Sequence, residues 1–194
     1  MSRILKSAVA SAAIVTLLAG CGADSGEAPY AGYDQREIAA LAPERVATLL
    51  AGGGAGYALA AEVNGYPGPK HVLELASELE LTAEQRERTE KLYAAMTAET
   101  VPLGERLVAL ERELDEAFKR GVATEEELAA LTGSIAETEG RLRYAHLKTH
   151  LSMRSLLTTE QNAAYAALRG YGAGSANGKG HEAGHEAGHD GGGH

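Results

Sequence analysis

Two histidines stand four residues apart, His146 and His150, and Met153 follows three positions later. On a helix these three side chains share one side. Two imidazole nitrogens and a soft thioether suit Zn, Ni, Co or Cu. A closed shell needs further donors, for which His71, Glu139 or a second subunit are the candidates. The structural alternative packs His146 into a helix seam and leaves His150 hydrogen-bonded at its rim. A second histidine group lies in the glycine-rich stretch 171–194, where His181, His185, His189 and His194 alternate with Glu182, Glu186 and Asp190. That composition fits a metal-scavenging tract. Ordering such a tract costs conformational entropy, so it would bind weakly and unselectively; the alternative is a solvated tail whose histidines have no specific role. Catalytic chemistry is missing from the pattern. Ser and Asp residues are scattered, no glycine loop has nucleotide-binding spacing, and the many Glu residues of the periodic segments read as a solvated face rather than acid–base pairs. The expectation is a protein that is not an enzyme and requires no cofactor.

The helical elements that must hold these residues are legible from their ends. Leu81-Thr82-Ala83-Glu84-Gln85 is a capping box, in which Thr82 accepts from the Gln85 backbone and the Gln85 side chain returns to the Thr82 N–H. Glu84 adds negative charge where the helix dipole favours it. The residue that would staple Leu81 is Arg86, so Leu81 needs a tertiary partner. Met96, Leu103, Leu107, Leu110, Leu114 and Phe118 keep one phase through Pro102, which predicts a single kinked helix from Ala83 to Arg120. Pro102 removes the hydrogen bond to the Ala98 carbonyl, Gly104 weakens the same turn, and Gly121 ends the helix. Thr124-x-x-Glu127 is another capping box opening a helix to about Arg154. Its main stripe is Leu128, Leu131, Ile135, Leu142 and Met153; a second stripe of Ala129, Ala136, Gly140, Leu147 and Leu151 lies opposite. With only a few residues between them, the two long helices should form an antiparallel hairpin. The small residues of the second stripe, with Gly133, would admit another backbone: a sister subunit, a client, or the chain's own residues 34–79. Leu157-Thr158-Thr159-Glu160-Gln161 repeats the first motif and should cap a last helix, Thr159 to Leu168.

The chain begins as a targeting segment. Arg3 and Lys6 precede an apolar run, Ala8 to Ala19, that is short for a membrane span. It runs into Leu18-Ala19-Gly20-Cys21, which resembles the lipobox of bacterial lipoproteins and implies cleavage before Cys21 and acylation of its thiol; the alternative is an ordinary secretory signal whose Cys21 is a free thiol. Gly22 rather than Asp after Cys21 favours the outer membrane of a Gram-negative host. Cys21 is the only cysteine, so an intramolecular disulfide is excluded. Residues 1–20 carry two positive charges and no acid, so the remainder stands at −11 against −9 for the whole chain. That balance argues against nucleic acid as a partner. The expected organisation is a signal peptide (1–20), a tether and loosely structured arm (21–69), a helical domain (70–170) and the tail (171–194). Within the arm, Asp34-x-x-Glu37 suggests a cap for a helix from Gln35 toward Leu41, and Pro43 suits the first turn of a second short helix.

Twin Leu-Thr-x-x-Gln motifs, at Leu81, Thr82, Gln85 and at Leu157, Thr158, Gln161, flank a charged helical hairpin. This arrangement resembles the LTXXQ-motif family of periplasmic proteins, which includes Spy and CpxP and their zinc-associated and heavy-metal-sensing relatives. The resemblance covers roughly residues 70–170. It implies an all-α fold, a long antiparallel hairpin with short flanking helices in a curved homodimer that holds unfolded envelope proteins without ATP. The metal-sensing relatives imply a second possibility, a Zn, Ni, Co or Cu sensor or buffer acting on a sensor or regulatory protein. A spacer lipoprotein with neither activity is the third. The chain departs from the chaperones of that family in being strongly acidic, in its lipobox and in its added tail.

Overall fold

The structure, a computed structural model, describes residues 28–171; the targeting segment, Cys21 and the tail histidines lie outside them. The described residues are all-α. A 3-10 turn at Tyr33–Gln35 precedes α1 (Pro43–Leu50), α2 (Leu59–Glu62), α3 (Pro69–Glu74), α4 (Ala83–Lys119), α5 (Glu125–Leu156) and α6 (Thr159–Leu168). The two long helices pack against each other as a hairpin. No helix among the described residues is long and apolar enough to cross a membrane.

The seam between α4 and α5 follows a heptad rather than a 100° stripe. On α4 the buried positions are Met96, Thr100, Leu103, Leu107, Leu110 and Ala117, with Leu114 partly buried between the last two. A 3.5-residue repeat drifts against the free helical period. By the end of α4 the seam has therefore reached Ala117, and Phe118, expected in the stripe, is 61% exposed. On α5 the same repeat brings Leu131, Thr138, Leu142, Ala145 and Thr149 into the seam. Its two threonines are satisfied within their own helix, Thr138 donating to the Ser134 carbonyl and Thr149 to that of Ala145. Local satisfaction keeps a buried hydroxyl from costing a desolvated, unpaired group.

The arm lies on the hairpin. Ile38, Leu41, Leu49 and Tyr57 form one core with Leu103, Leu107, Val108 and Leu142. The tightest approach is α1 on α4: a Cβ at Gly104 would lie 2.1 Å from the Leu49 carbonyl oxygen. Gly104 therefore lets a backbone dock, which is a different role from loosening the turn after Pro102. Pro43 sits in the first turn of α1 as expected. The helix expected from Gln35 to Leu41 does not form. After the 3-10 turn, Arg36 is extended at ψ 150. Glu37, freed from capping, pairs with Arg112 of α4 at 2.6 Å, and Ile38 enters the core. Tertiary contacts outweigh the local cap here. Thr124 accepts from the Glu127 N–H at 3.2 Å, a cap from the threonine side.

A second core forms at the open end of the hairpin, from Val72, Leu79, Met153, Leu157 and Tyr165. Leu81 packs on its edge and so finds there the tertiary partner it needs. The face of α5 opposite the seam has no cover among the described residues. Ala129, Ala136 and Gly140 are exposed, Leu147 is half-buried, and a Cβ at Gly133 or Gly140 would meet nothing within 4 Å. The arm thus does not cover the second stripe; it lies on the other side of the helix.

Candidate functional site

Three features gather the residues singled out above. The first is a clasp between the two Leu-Thr-x-x-Gln motifs. Thr82 and Thr158 each accept from the backbone of the glutamine three residues on, and each glutamine Oε1 accepts from its threonine N–H. The remaining amide protons meet across the fold. Gln85 donates to Gln161 Oε1 at 2.7 Å, and Gln161 donates to Gln85 Oε1 at 3.0 Å. Each also reaches a backbone carbonyl beside the other motif: Gln85 that of Leu156, and Gln161 that of Leu79. A cap needs only the Oε1 of the glutamine. The amide nitrogen is what makes two caps into one lock. Glutamate could supply the first function and not the second.

The second feature is a cleft of about 550 Å³ between the arm and the hairpin. It is lined by His146 and His150 of α5, the loop Gly52–Gly56, Glu62, His71, Arg169 and Tyr171. His150 is 5% exposed. Its Nδ1 lies 2.7 Å from the Tyr66 carbonyl, which can only accept. The proton is therefore on Nδ1, and Nε2 carries a bare lone pair when the ring is neutral. Gly68 makes room for that ring, since a Cβ there would stand 3.0 Å from His150 Cε1 and 3.3 Å from Nε2. His146 is 3% exposed and its Nε2 has no hydrogen-bond partner. Burial pushes its pKa below the ordinary value, the neighbouring His150 adds to that, and the Gly53 backbone opposes. A buried polar atom without a partner costs about 1–3 kcal/mol.

Glu62 anchors the arm side. Its Oε1 accepts from the Tyr165 hydroxyl and lies 3.5 Å from Arg169 Nε; its Oε2 is 3.7 Å from His150 Nδ1. Burial first, and then Glu62, raise the Tyr165 pKa. Arg154 clamps the same loop, donating to the Gly65 carbonyl and lying 4.7 Å above the Tyr66 ring.

The candidate ligands separate in space. His146, His150 and His71 line one cleft, with His71 Nδ1 held 2.8 Å from Glu74. Met153 is fully buried in the second core. Glu139 accepts from the Tyr57 hydroxyl at 2.8 Å and lies 3.7 Å from Arg45. There it helps burial push the Tyr57 phenol up to about 12. Among the described residues no three of His, Cys, Asp and Glu come close enough together to hold a metal ion. Glu62, the Tyr66 carbonyl and Gly68 were not anticipated. The clue was Tyr66-Pro67-Gly68-Pro69, whose last three residues are all buried.

The third feature is the uncovered face of α5, where Tyr144 is 65% and Leu151 59% exposed on either side of Leu147.

The described residues form an all-α hairpin whose open end is locked by two reciprocal Leu-Thr-x-x-Gln caps. The LTXXQ motif family protein model matches residues 69–169, just over half of the chain. The chain therefore belongs to the LTXXQ motif family, the Spy/CpxP-like domain, and membership suggests a periplasmic Spy/CpxP-like or metal-resistance-associated protein. The arm that builds the cleft wall precedes the matched segment. No curated protein and no solved structure matches the chain.

Proposed function

We propose that this protein is an envelope lipoprotein, anchored through Cys21, that shields apolar segments of unfolded envelope proteins without nucleotide and without catalysis. The observation that carries this reading is the open stripe of α5: Ala129, Gly133, Ala136, Gly140, Tyr144, Leu147 and Leu151 fall within about a quarter of the helix circumference. Small residues at one end and large apolar ones at the other give a shallow surface that takes extended chains of varied sequence, or the same face of a second subunit in a homodimer. Such faces mark interaction sites. The test is light scattering of a chemically denatured client diluted into stoichiometric protein, without ATP. Suppressed aggregation is expected, and an unaltered scattering trace overturns the reading. Anchoring predicts that the protein made in a bacterial host partitions into detergent and that Cys21→Ser abolishes this.

A second reading is favoured by the cleft: a periplasmic sensor or buffer of Zn, Ni, Co or Cu that reports to a sensor or regulatory protein. It is supported by two buried imidazoles on one helical face, one of them with an unpartnered Nε2. Calorimetric titration with each ion tests it.

A further inference from the structure

The uncovered face of α5 is its own complement when the helix is reversed. Gly140 is the midpoint. Ala136 and Tyr144 lie four residues to either side of it, Gly133 and Leu147 seven, and Ala129 and Leu151 eleven. Each position on the N-terminal side is small, and each matching position on the C-terminal side is large and apolar. A second copy turned end for end about Gly140 therefore sets Ala129 beside Leu151, Gly133 beside Leu147 and Ala136 beside Tyr144. Each pairing occurs twice, as a closed two-fold interface requires. Parallel pairing would crowd large residues together at one end and leave gaps at the other, and both faults cost packing energy. The single chain makes no use of the two glycines, since a Cβ at Gly133 or Gly140 would meet nothing within 4 Å. Alanine would hold the helix better at both positions. Space is thus kept where only a neighbour from outside can fill it. Charge points to the same neighbour. Glu137 and Arg141, one turn apart on one flank of the stripe, are both exposed. Neither belongs to an ion pair among the described residues. In the reversed register Glu137 of each copy comes beside Arg141 of the other, whereas a client of arbitrary sequence offers no such fixed match.

We infer that this face is occupied by the same face of a second copy of the chain, antiparallel and centred on Gly140, and that the pairing hides the surface offered to clients. The pairing stands on the register alone; the competition rests on the client reading above. Tyr144, Leu147 and Leu151 cannot pack against a partner's small residues and an unfolded segment at once. Client capture therefore requires the pair to part. The apparent affinity for clients is reduced by the fraction of chains that are paired, so it falls as the protein becomes more concentrated.

Single cysteines placed in the full chain carrying Cys21→Ser test the register by disulfide formation. Gly140→Cys should link to itself. Ala129→Cys and Leu151→Cys should each stay unlinked alone and link to one another when mixed. Self-linking of Ala129→Cys would mean parallel pairing and overturns the inference, as does a chain that sediments as a monomer at every concentration; neither result touches the client reading. Substitution gives an independent check. Gly133→Leu should raise the dissociation constant of the pair about tenfold or more by crowding Leu147 of the partner. Gly133→Leu/Leu147→Gly restores a small residue beside a large one and should recover much of that loss. No recovery, in a double variant whose circular dichroism matches the parent's, overturns the register. The competition is read on the Gly140→Cys dimer in the light-scattering assay. Locked by oxidation it should lose suppression of aggregation, and reduction should restore it. Equal suppression by the locked and reduced forms overturns the competition. Failure of both forms to suppress removes the client reading and with it the competition, while the cross-links still decide the pairing.

Discussion

The two sides of α5 differ less in composition than in what lies on them. One side carries Leu142, Ala145, His146, Thr149, His150 and Met153, all buried. The other carries Ala136, Gly140, Tyr144, Leu147 and Leu151, of which only Leu147 is half-buried and the rest are exposed. Two of the buried residues are histidines and one is a threonine, while the exposed stripe has no charge at all. Burial therefore does not follow apolarity along this helix. At the two histidines it follows the arm, which brings its own carbonyls and a carboxylate and so can cover imidazoles that a purely apolar surface would reject. The uncovered stripe offers no hydrogen bonds and takes only what is apolar.

The sharpest way to break this contrast is to lift the arm. Gly104→Ala places a Cβ at 2.1 Å from the Leu49 carbonyl, and backbone cannot rotate out of the way as a side chain can. The expected loss is at or above the ~1–3 kcal/mol typical of overpacking, read as a lower urea midpoint. It should be accompanied by new exposure of Tyr57 and by faster exchange of amides in residues 43–66. A midpoint unchanged from the parent would mean that the arm is not seated on α4.

The clasp comes next. Gln161→Ala removes the cap to Thr158 and leaves the Leu79 carbonyl without its donor, for an expected cost of about 1–3 kcal/mol. Gln85→Ala should behave alike, and the double variant should lose less than the two together, by about 0.5–1.5 kcal/mol of coupling. Strict additivity would show that the motifs act as two separate caps. Gln161→Glu keeps the acceptor and loses the donor, so it should retain the cap and lose the coupling.

A smaller effect should appear in pH dependence, measured with chelator present. The folded state holds the His146 pKa below its ordinary 6.5. As pH falls through 6.5 the unfolded chain takes up this proton first, so stability declines as the pH drops, and levels off below the folded-state value. Stability measured from pH 8 to 5 should slope downward, and His146→Gln should flatten part of the slope. An unchanged slope in that variant would place the titration elsewhere.

What could be read from the sequence was what is local. A threonine followed three residues later by glutamine specifies its own helix start, so α4 begins at Ala83 and α6 runs from Thr159 to Leu168, as expected. The second use of each glutamine was hidden because Gln85 and Gln161 meet across 76 residues of chain, and a capping motif says nothing about its spare amide protons. The same limit explains the arm. Asp34 and Glu37 satisfy a local helix rule, yet Arg112 of α4 takes the glutamate. Gly104 looked like a weak point in a turn because its neighbour in space, Leu49, cannot be inferred from its neighbours in sequence. His146 and His150 were correctly placed on one helical face by their spacing alone. Their tautomer partner, Tyr66, lies 84 residues away from His150, and Met153, which shares their spacing, faces a different core.

The least expensive substitution for the fold is the one most telling for function. Leu151 is 59% exposed and takes no part in either core, so Leu151→Ser should change stability by no more than about 0.5 kcal/mol. The same holds for Tyr144→Ser, whose ring also lies mostly in solvent. The two residues nevertheless supply the largest apolar area of the open stripe. If that stripe receives unfolded clients, the double variant should suppress aggregation several-fold less well than the parent while its melting curve overlays the parent's. Sedimentation of the same variant tests the other occupant, since a dimer formed through this face would, in the variant, fall apart at a higher protein concentration than the parent dimer does. Aggregation suppression equal to the parent's would assign client binding to some other surface, and the two sides of α5 would then differ only in burial, not in function.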